Sequence, residues 1–437
     1  MPAPVTAYIG LGSNLGDREQ QIAQALERLA RVPGVKVLAT SRLRETDPVG
    51  GPPQPRYCNG VCKVLTTLPA AALLALLQQL ERDAGRTPSA VRNSPRVLDL
   101  DLLLYGDAPI DTKDLVVPHP RLFARPFVTE PLRELGVDLA TVPRVEPPRV
   151  VHDPRELAAL CAQWRAGGCT LGLVPTMGAL HAGHASLLQT ARRECDRVLG
   201  TIFVNPLQFG PGEDYSRYPR TLAADLALLR ASAADAVFVP ERSAMYGEGF
   251  CSQIAVGAAA EGMEGAARPG HFSGVATVVA KLFALTAPTH AYFGRKDAQQ
   301  VAVLRRMTQD LGFPLRIREC AIVREPSGLA LSSRNVFLSA EDRQAAGVLF
   351  AALSAARRAH AAGERRKADL LALAREMLAA EPRASLEYLE LRSEPELLPL
   401  PDDQPVERGR MLVVARFGTE RPTRLLDNLA LCEADDA

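Results

Sequence analysis

An α+β domain followed by an α/β domain, which ends in a small α+β subdomain, is the fold class that the sequence predicts. Three features predict it. Over residues 1–145, β-prone and helical runs alternate with hairpin-like joins. A proline-rich stretch, V-P-R-V-E-P-P at 142–148, then separates two self-contained patterns. Beyond it, apolar runs without polar interruption, as in buried parallel strands, alternate with helical ones. At 437 residues the chain is longer than one hydrophobic core supports. The predicted layout is a first domain at 1–145, a linker at 146–149, a second domain at 150–335 and its subdomain at 336–437.

Composition narrows the partners. A formal net charge of +1 supplies no bulk attraction to nucleic acid or to an anionic membrane surface. No apolar run reaches about 20 residues, and no basic-then-apolar leader opens the chain, so neither a membrane span nor a secretory signal is expected. The eight cysteines, at 58, 62, 161, 169, 195, 251, 320 and 432, include no Cys-x-x-Cys pair and match neither zinc spacing nor a disulfide framework. A reduced, cytoplasmic protein acting on small molecules is the expectation.

In the first domain, residues 6–11 read as a strand that ends in the turn G-S-N-L-G-D at 12–17, and Ile22, Ala25, Leu26 and Leu29 mark a helix. Residues 35–43, 58–65 and 100–105 read as further strands, and 70–83 as a helix, which together fit a ferredoxin-like α+β arrangement. The chemistry lies in R-V-L-D-L-D at 96–101. On a strand, Asp99 and Asp101 face one side while Leu98, Leu100 and Leu102 face the core. Two close carboxylates repel unless a cation sits between them, and Mg²⁺ with nucleotide phosphates is one solution; a solvated acidic edge strand is the other. Arg86, Arg92 and Arg96 would supply charge for a triphosphate.

Three strings of this domain, Y-I-G-L-G-S-N-L-G-D at 8–17, L-D-L-D-L at 98–102 and V-P-H-P at 117–120, resemble the 6-hydroxymethyl-7,8-dihydropterin pyrophosphokinase family in order and spacing. The resemblance implies pyrophosphate transfer from ATP to hydroxymethyldihydropterin. It assigns Mg²⁺ to Asp99 and Asp101, and nucleotide phosphates to Arg86, Arg92, Arg96 and His119. Tyr57, Asn59, Glu81 and Phe127 would line the pterin pocket, with backbone contacts from Thr46 and Pro48. Pro88, Asn93 and Ser94 depart from the family's arginine- and tryptophan-containing lid loop.

The second domain is organised around P-T-M-G-A-L-H-A-G-H at 175–184, between an apolar run at 171–174 and a helical pattern carrying Leu187, Leu188, Ala191 and Cys195. A helix that starts there turns its free N–H groups and positive dipole end toward the turn, which suits a phosphate. His181 and His184 share one face; an ordinary helix cap explains them equally well. Helices are read at 154–164, 223–229 and 275–286, and strands at 170–174, 198–204, 236–239 and 291–293, the alternation of a Rossmann-like sheet.

The polar clusters fall at strand ends. Asn205 and Gln208 can hydrogen-bond a hydroxyl or carboxylate without adding charge, although Asn-Pro is also a turn former. R-P-G-H-F at 268–272 reads as a loop. In G-R-K-D-A-Q-Q at 294–300, Lys296 can neutralise a phosphate, Asp297 can hold ribose hydroxyls or a metal, and Gln300 lies one turn beyond. L-S-S-R-N at 331–335 offers two hydroxyls and a guanidinium, a set equally at home in a capping loop. Residues 340–362 and 368–380 are predicted helical, and 385–392 and 411–416 as strands.

The His-x-Gly-His turn resembles the signature of adenylate-forming nucleotidyltransferases, and the full set of strings resembles the pantothenate synthetase family across 150–435. The resemblance implies that ATP is held by Met177, Gly178, Ala179, Leu180, His181, Ala182, Gly183 and His184, by Gly294, Arg295, Lys296 and Asp297, and by Val323, Leu331, Ser332, Ser333 and Arg334. Pantoate and β-alanine would lie against Gln208, with Gln300 and Asn205 also on pantoate. Pantoate would be activated as its acyl adenylate by Mg²⁺-ATP, and β-alanine would displace AMP. His181, His184, Lys296, Ser332, Ser333 and Arg334 would stabilise the phosphates, with His184 as the family's proton donor or equally as a hydrogen-bond donor. A homodimer is implied, and residues 336–437 are expected to close over the ATP site with Ser332 to Arg334 at the hinge. The competing readings are a nucleotidyltransferase that keeps the nucleotide in its product, and a chain whose first domain is a structural relic.

Overall fold

The computed structural model describes residues 3–48, 52–86, 94–107, 109–112, 114–139, 141–142, 147–418 and 422–432. Arg92, together with Pro88 and Asn93 of the lid loop, lies outside the described residues, as do 143–146 at the domain boundary. The chain divides into two compact units, the first formed mainly by Met1–Pro147 and the second by most of the remainder.

In the first unit, β1 (Val5–Ser13), α1 (Arg18–Ala30), β2 (Val35–Thr40), β3 (Arg44–Thr46), β4 (Tyr57–Thr66), α2 (Ala70–Asp83) and β5 (Asp99–Tyr105) follow one another. The sheet order is β2–β4–β1–β5, with β3 also on β4 and every pairing antiparallel. Asp17 caps α1 by accepting the Gln20 N–H. Ile22, Ala25 and Leu29 of α1 and Leu73, Leu77 and Leu80 of α2 recur at helical spacing and pack on Ile9 and Leu11. A small hairpin, β6 (Ile110–Asp111) with β7 (Val116–Val117), precedes α3 (Pro126–Glu134). Val128 and Leu132 of α3 pack with Val61 and Leu103.

The strand predicted at 35–43 stops at Thr40. Ser41 is buried, and its hydroxyl accepts the Val61 N–H (3.0 Å) that a continuing ladder would use. The pattern at 99–102 comes out as predicted, with Leu100 and Leu102 buried and both carboxylates on the other face. Across the ladder, Asp99 pairs with Gly12 and Asp101 with Gly10, so the neighbouring strand presents no side chain beside either carboxylate.

The second unit is built on six parallel strands, β8 (Arg149–Val151), β9 (Leu171–Val174), β10 (Arg197–Thr201), β11 (Ala236–Phe238), β12 (His290–Gly294) and β13 (Arg316–Cys320). Their order is β13–β12–β9–β10–β11–β8. Helices α4 (Pro154–Ala166), α5 (Ala182–Glu194), α6 (Leu222–Ala231), α7 (Arg242–Met245), α8 (Met263–Ala267), α9 (His271–Thr286) and α10 (Ala298–Asp310) connect them. Adjacent strands β9 and β12 run on to opposite sides of the sheet, to β10 and β13, so a crevice opens between their carboxyl ends. One end carries 175–184 and the other 294–300.

The strand predicted at 198–204 ends at Thr201: the Ile202 N–H makes the last ladder bond to β11, at the Phe238 carbonyl, and the Phe203 N–H bonds the Thr176 carbonyl, beyond the end of β9. Cys195, predicted within α5, is instead its extended cap residue. The helix predicted at 340–362 is two, α11 (Ala340–Ala345) and α12 (Val348–Ala361). A side chain at Gly347 would meet the Ser327 carbonyl at 2.8 Å, which is where the chain bends. With α13 (Lys367–Ala379), α12 covers an antiparallel sheet of β14 (Ala384–Arg392), β15 (Arg410–Phe417) and β16 (Thr423–Ala430). Residues 336–437 cluster with the parallel sheet as one unit rather than separating from it. Among the described residues no helix is long and apolar enough to cross a membrane, and all eight cysteines are free thiols.

Candidate functional site

The crevice in the second unit is a cavity of about 290 Å³. Met177, His181, Gly183, His184, Asn205, Gln208, Gly294, Lys296, Asp297, Gln300, Val323, Leu331, Ser332, Ser333 and Arg334 all line it. Gly178, Ala179, Leu180, Ala182 and Arg295 do not. Arg295 pairs with Glu319 (3.4 Å), while its carbonyl accepts the Asn428 amide (3.0 Å).

The start of α5 works differently from a bare helix end. Asp225, 1% exposed, accepts the Ala179 N–H (3.1 Å), the Leu180 N–H (2.8 Å) and the Thr221 hydroxyl (3.1 Å). The turn thereby held has Gly178 at φ +88 and Ala179 at φ +51, both left-handed. His181 Nδ1 accepts the Gly183 N–H (3.1 Å), and His184 Nδ1 accepts the His181 N–H (3.3 Å). Four backbone donors at this turn are therefore taken up by side chains, and of these the Gly183 N–H belongs to the first turn of α5.

The histidines hand the function on. A neutral imidazole that accepts at Nδ1 carries its proton on Nε2. Both rings therefore present an N–H of fixed tautomer. Burial, then the Lys296 charge, pushes His181 down to about 4. Burial, then His181 and Lys296, pushes His184 down to about 3. At neutral pH they are uncharged donors.

This has a consequence for stability. The ordinary histidine value is 6.5 and the folded values are about 4 and about 3, so between these limits the unfolded chain binds more protons. Stability contributed by the neutral rings is complete above pH 6.5 and is lost as pH falls through about 4 for His181 and about 3 for His184. The unfolding temperature of the second unit should drop over that window, and the drop should shrink in His181→Gln. Trp164, the one tryptophan, packs on the parallel-sheet core and reports this unit selectively. An equal pH slope in both proteins would count against the assignment.

On the far side of the crevice, Asn205 Nδ2 donates to Gln208 Oε1 (3.1 Å) and to the Gly274 carbonyl (3.1 Å), and its Oδ1 accepts from the Tyr246 hydroxyl (2.7 Å). It thus braces Gln208, whose amide reaches the Met177 sulfur (3.0 Å). The 3₁₀ turn Pro206–Gln208 lies directly on α9 at Gly274, where an added Cβ would stand 2.1 Å from the Leu207 carbonyl oxygen. Gly274→Ala should cost about 1–3 kcal/mol and weaken whatever Gln208 binds. Urea unfolding followed at Trp164 checks this; an unchanged midpoint would show that the turn slides away freely.

Lys296 stands 3.7 Å from the Asp297 carboxylate, and the Lys296 carbonyl accepts the Asn428 amide of β16 (2.7 Å). Arg334 meets Asp214, and the Ser333 hydroxyl meets Tyr218. Arg268, Glu213, Asp214, Tyr218 and Asp225 carry no role in the sequence reading; Arg268, Glu213 and Tyr218 nevertheless line the cavity. Only Arg268 had a signal, a basic residue beside glycine in a loop.

The first unit has its own cavity of about 80 Å³. Thr46, Tyr57, Asn59, Arg96, Asp99, Asp101 and Phe127 line it; Arg86, Glu81 and His119 do not. Glu81 is buried, accepts the Leu100 N–H (2.8 Å) and pairs with Arg86, which also reaches Asp99 (3.3 Å). They brace the strand from behind. Asp99 pairs with Arg96 (2.5 Å), and Asp101 with Arg125 (3.3 Å) and His119 (3.9 Å). Burial lowers the His119 pKa, and Asp101 opposes that only in part. Arg121 and Arg125 line the cavity and went unread in the sequence. Among the described residues no three His, Cys, Asp or Glu side chains form a metal cage. Two hard carboxylate oxygens with an open face fit a Mg²⁺ that takes its remaining ligands from water and phosphates.

The family described as pantoate-beta-alanine ligase matches residues 149–430, and that described as 7,8-dihydro-6-hydroxymethylpterin-pyrophosphokinase matches residues 8–137. Pantothenate synthetase of Roseiflexus sp. (strain RS-1) is 55% identical over 262 residues, 60% of this chain and 92% of that one. The enzyme of the same name from Acidobacterium capsulatum is 49% identical over 62% of this chain and 89% of that one. A crystal structure of pantothenate synthetase from Thermus thermophilus superposes with a TM-score of 0.61 at 48% identity, over 65% of this chain and 99% of that one. The Francisella tularensis ligase, crystallised with beta-gamma ATP and beta-alanine, matches with a TM-score of 0.54 at 30% identity, over 66% and 100%.

Proposed function

The chain belongs to the pantoate–β-alanine ligase family through residues 149–430, and from that premise we propose how its two cavities work. The protein is a bifunctional enzyme: its second unit condenses pantoate with β-alanine at the expense of ATP, and its first transfers pyrophosphate from ATP to 6-hydroxymethyl-7,8-dihydropterin. The observation that carries the mechanism is that His181, His184, Lys296, Ser332, Ser333 and Arg334 all line one cavity.

In the first step a pantoate carboxylate oxygen bonds to the α-phosphorus of ATP, and the bond to the β-phosphate oxygen breaks, releasing pyrophosphate. In the second, the β-alanine amine attacks the adenylate carbonyl, the C–O bond to AMP breaks, and the amine's proton leaves to solvent. No covalent enzyme intermediate forms. The imidazole Nε2–H groups, the Lys296 ammonium and the Arg334 guanidinium meet charge that builds on the phosphates, and the cavity holds the carboxylate in line. Gln208 and Gln300 orient pantoate by neutral hydrogen bonds. Mg²⁺ on the phosphates would add charge neutralisation in both units, with Asp99 and Asp101 as its ligands in the first.

With the short β3 set aside, the first unit's β–α–β–β–α–β order and the antiparallel arrangement β2–β4–β1–β5 support a ferredoxin-like reading. Leu412, Asp427 and Asn428 on the cavity wall support residues 336–437 as the cover of the ATP side. A homodimer and a cytoplasmic location are part of the proposal, carried by the family resemblance alone.

Labelled pyrophosphate should exchange into ATP when pantoate alone is added, and AMP should appear only with β-alanine. AMP retained in the product would replace this reading by nucleotide transfer. Diphosphate transfer to the pterin, followed on the same preparation, tests the first unit.

A further inference from the structure

Residues 213–218 follow Gln208 and reach two cavity arginines and one hydroxyl. Glu213 holds Arg268 at 2.9 and 2.5 Å, and Arg268 in turn donates to the Gln208 carbonyl (3.3 Å). The next residue, Asp214, accepts from Arg334 Nε (2.7 Å) and Nη2 (2.9 Å). Tyr218, 4% exposed, shares a hydrogen bond of 3.0 Å with Ser333 Oγ.

The Arg334 contact is a side-on fork. It fixes the plane of the guanidinium and leaves Nη1 and the second Nη2 hydrogen for another anion. A long arginine side chain loses rotamer freedom when it grips a ligand, and here that loss is taken before the ligand arrives. The Tyr218 contact does the same for the Ser333 hydroxyl, whose rotor is otherwise free to point anywhere. Both contacts come from the segment that starts at the pantoate side of the cavity and end on the loop assigned to the triphosphate.

We propose that Asp214 is the positioning residue for Arg334, and Tyr218 for Ser333, so that the ATP loop is aligned from the pantoate side. The proposal rests on the ATP and pantoate assignment above. It requires that occupancy at Gln208 and ATP affinity be coupled, reciprocally.

The test is calorimetric titration of the full chain with an ATP analogue that cannot be cleaved, with and without pantoate. Wild type should bind the analogue about 5–150-fold tighter when pantoate is present. In Asp214→Asn and in Tyr218→Phe that ratio should fall toward one, with kcat reduced more than the KM for β-alanine. The unfolding midpoint at Trp164 shows whether each variant is folded, and Tyr218→Phe keeps the test alive if Asp214→Asn is not. A wild-type ratio of one, ratios unchanged in both variants, or tighter analogue binding by Asp214→Asn would each overturn the proposal; the last would show that the carboxylate competes with the triphosphate. Failure of wild type to bind the analogue at all would instead overturn the functional reading.

Discussion

Lys296→Ala should slow pantothenate formation about 10²–10³-fold, equivalent to about 2.7–4 kcal/mol of transition-state stabilisation. Among the described residues Lys296 is the one lysine on the cavity wall, and its backbone is pinned by the Asn428 amide, so the side chain starts from a held turn. In the proposed mechanism it acts on charge that develops as pyrophosphate leaves, so kcat should carry most of the loss and the KM for pantoate little. Its removal has a second signature. Lys296 is among the charges that hold His181 and His184 down, so any pH dependence due to these rings should move to higher pH in the variant. Steady-state assays of pantothenate across pH check both. Near wild-type turnover would remove Lys296 from the chemistry, and diphosphate transfer to the pterin should be untouched.

Asp101→Ala should abolish the other activity by a comparable factor, about 10²–10³ or more, and leave pantothenate formation intact. Asp101 sits opposite Gly10 with an open face toward the cavity, and its loss removes half of the carboxylate pair while leaving Arg125 without this partner (3.3 Å). Asp99→Asn is the companion variant: it retains the shape but weakens the grip on Arg96 (2.5 Å). The readout is formation of the pterin diphosphate over a Mg²⁺ titration. If either variant turned over normally, the strand would be an acidic edge and no more.

Much of this was legible in the sequence. The helix Ala70–Asp83 came out with the predicted bounds, because its leucines recur at 3.6-residue spacing without a breaker. The cavity motifs were legible because they sit at strand ends, where parallel-sheet topology forces ligands to lie. What stayed hidden was polar and distant. Asp214 and Asp225 look like ordinary solvated acids in the string E-D-Y-S-R-Y-P-R-T-L-A-A-D; only folding brings one to Arg334 and the other to two backbone N–H groups. Strand Thr423–Ala430, T-R-L-L-D-N-L-A, escaped the period-2 reading because it buries an aspartate and an asparagine. Asp427 is paired with Arg324 at 2.6 and 3.0 Å, and Asn428 is bonded to Arg410 and to the Lys296 turn. Satisfied polar groups are tolerated in a core, and a hydropathy pattern cannot anticipate the partners.

That last strand carries a consequence for how the enzyme is made. The peptide groups of Arg295 and Lys296 are anchored by Asn428, more than a hundred positions later in the chain. A ribosome-bound polypeptide that has not yet delivered β16 can already pair β9 with β12, but its lysine hangs from an unsupported turn. The turn that carries Lys296 is therefore completed only by the last described strand, well after the sheet beneath it in the order of the chain.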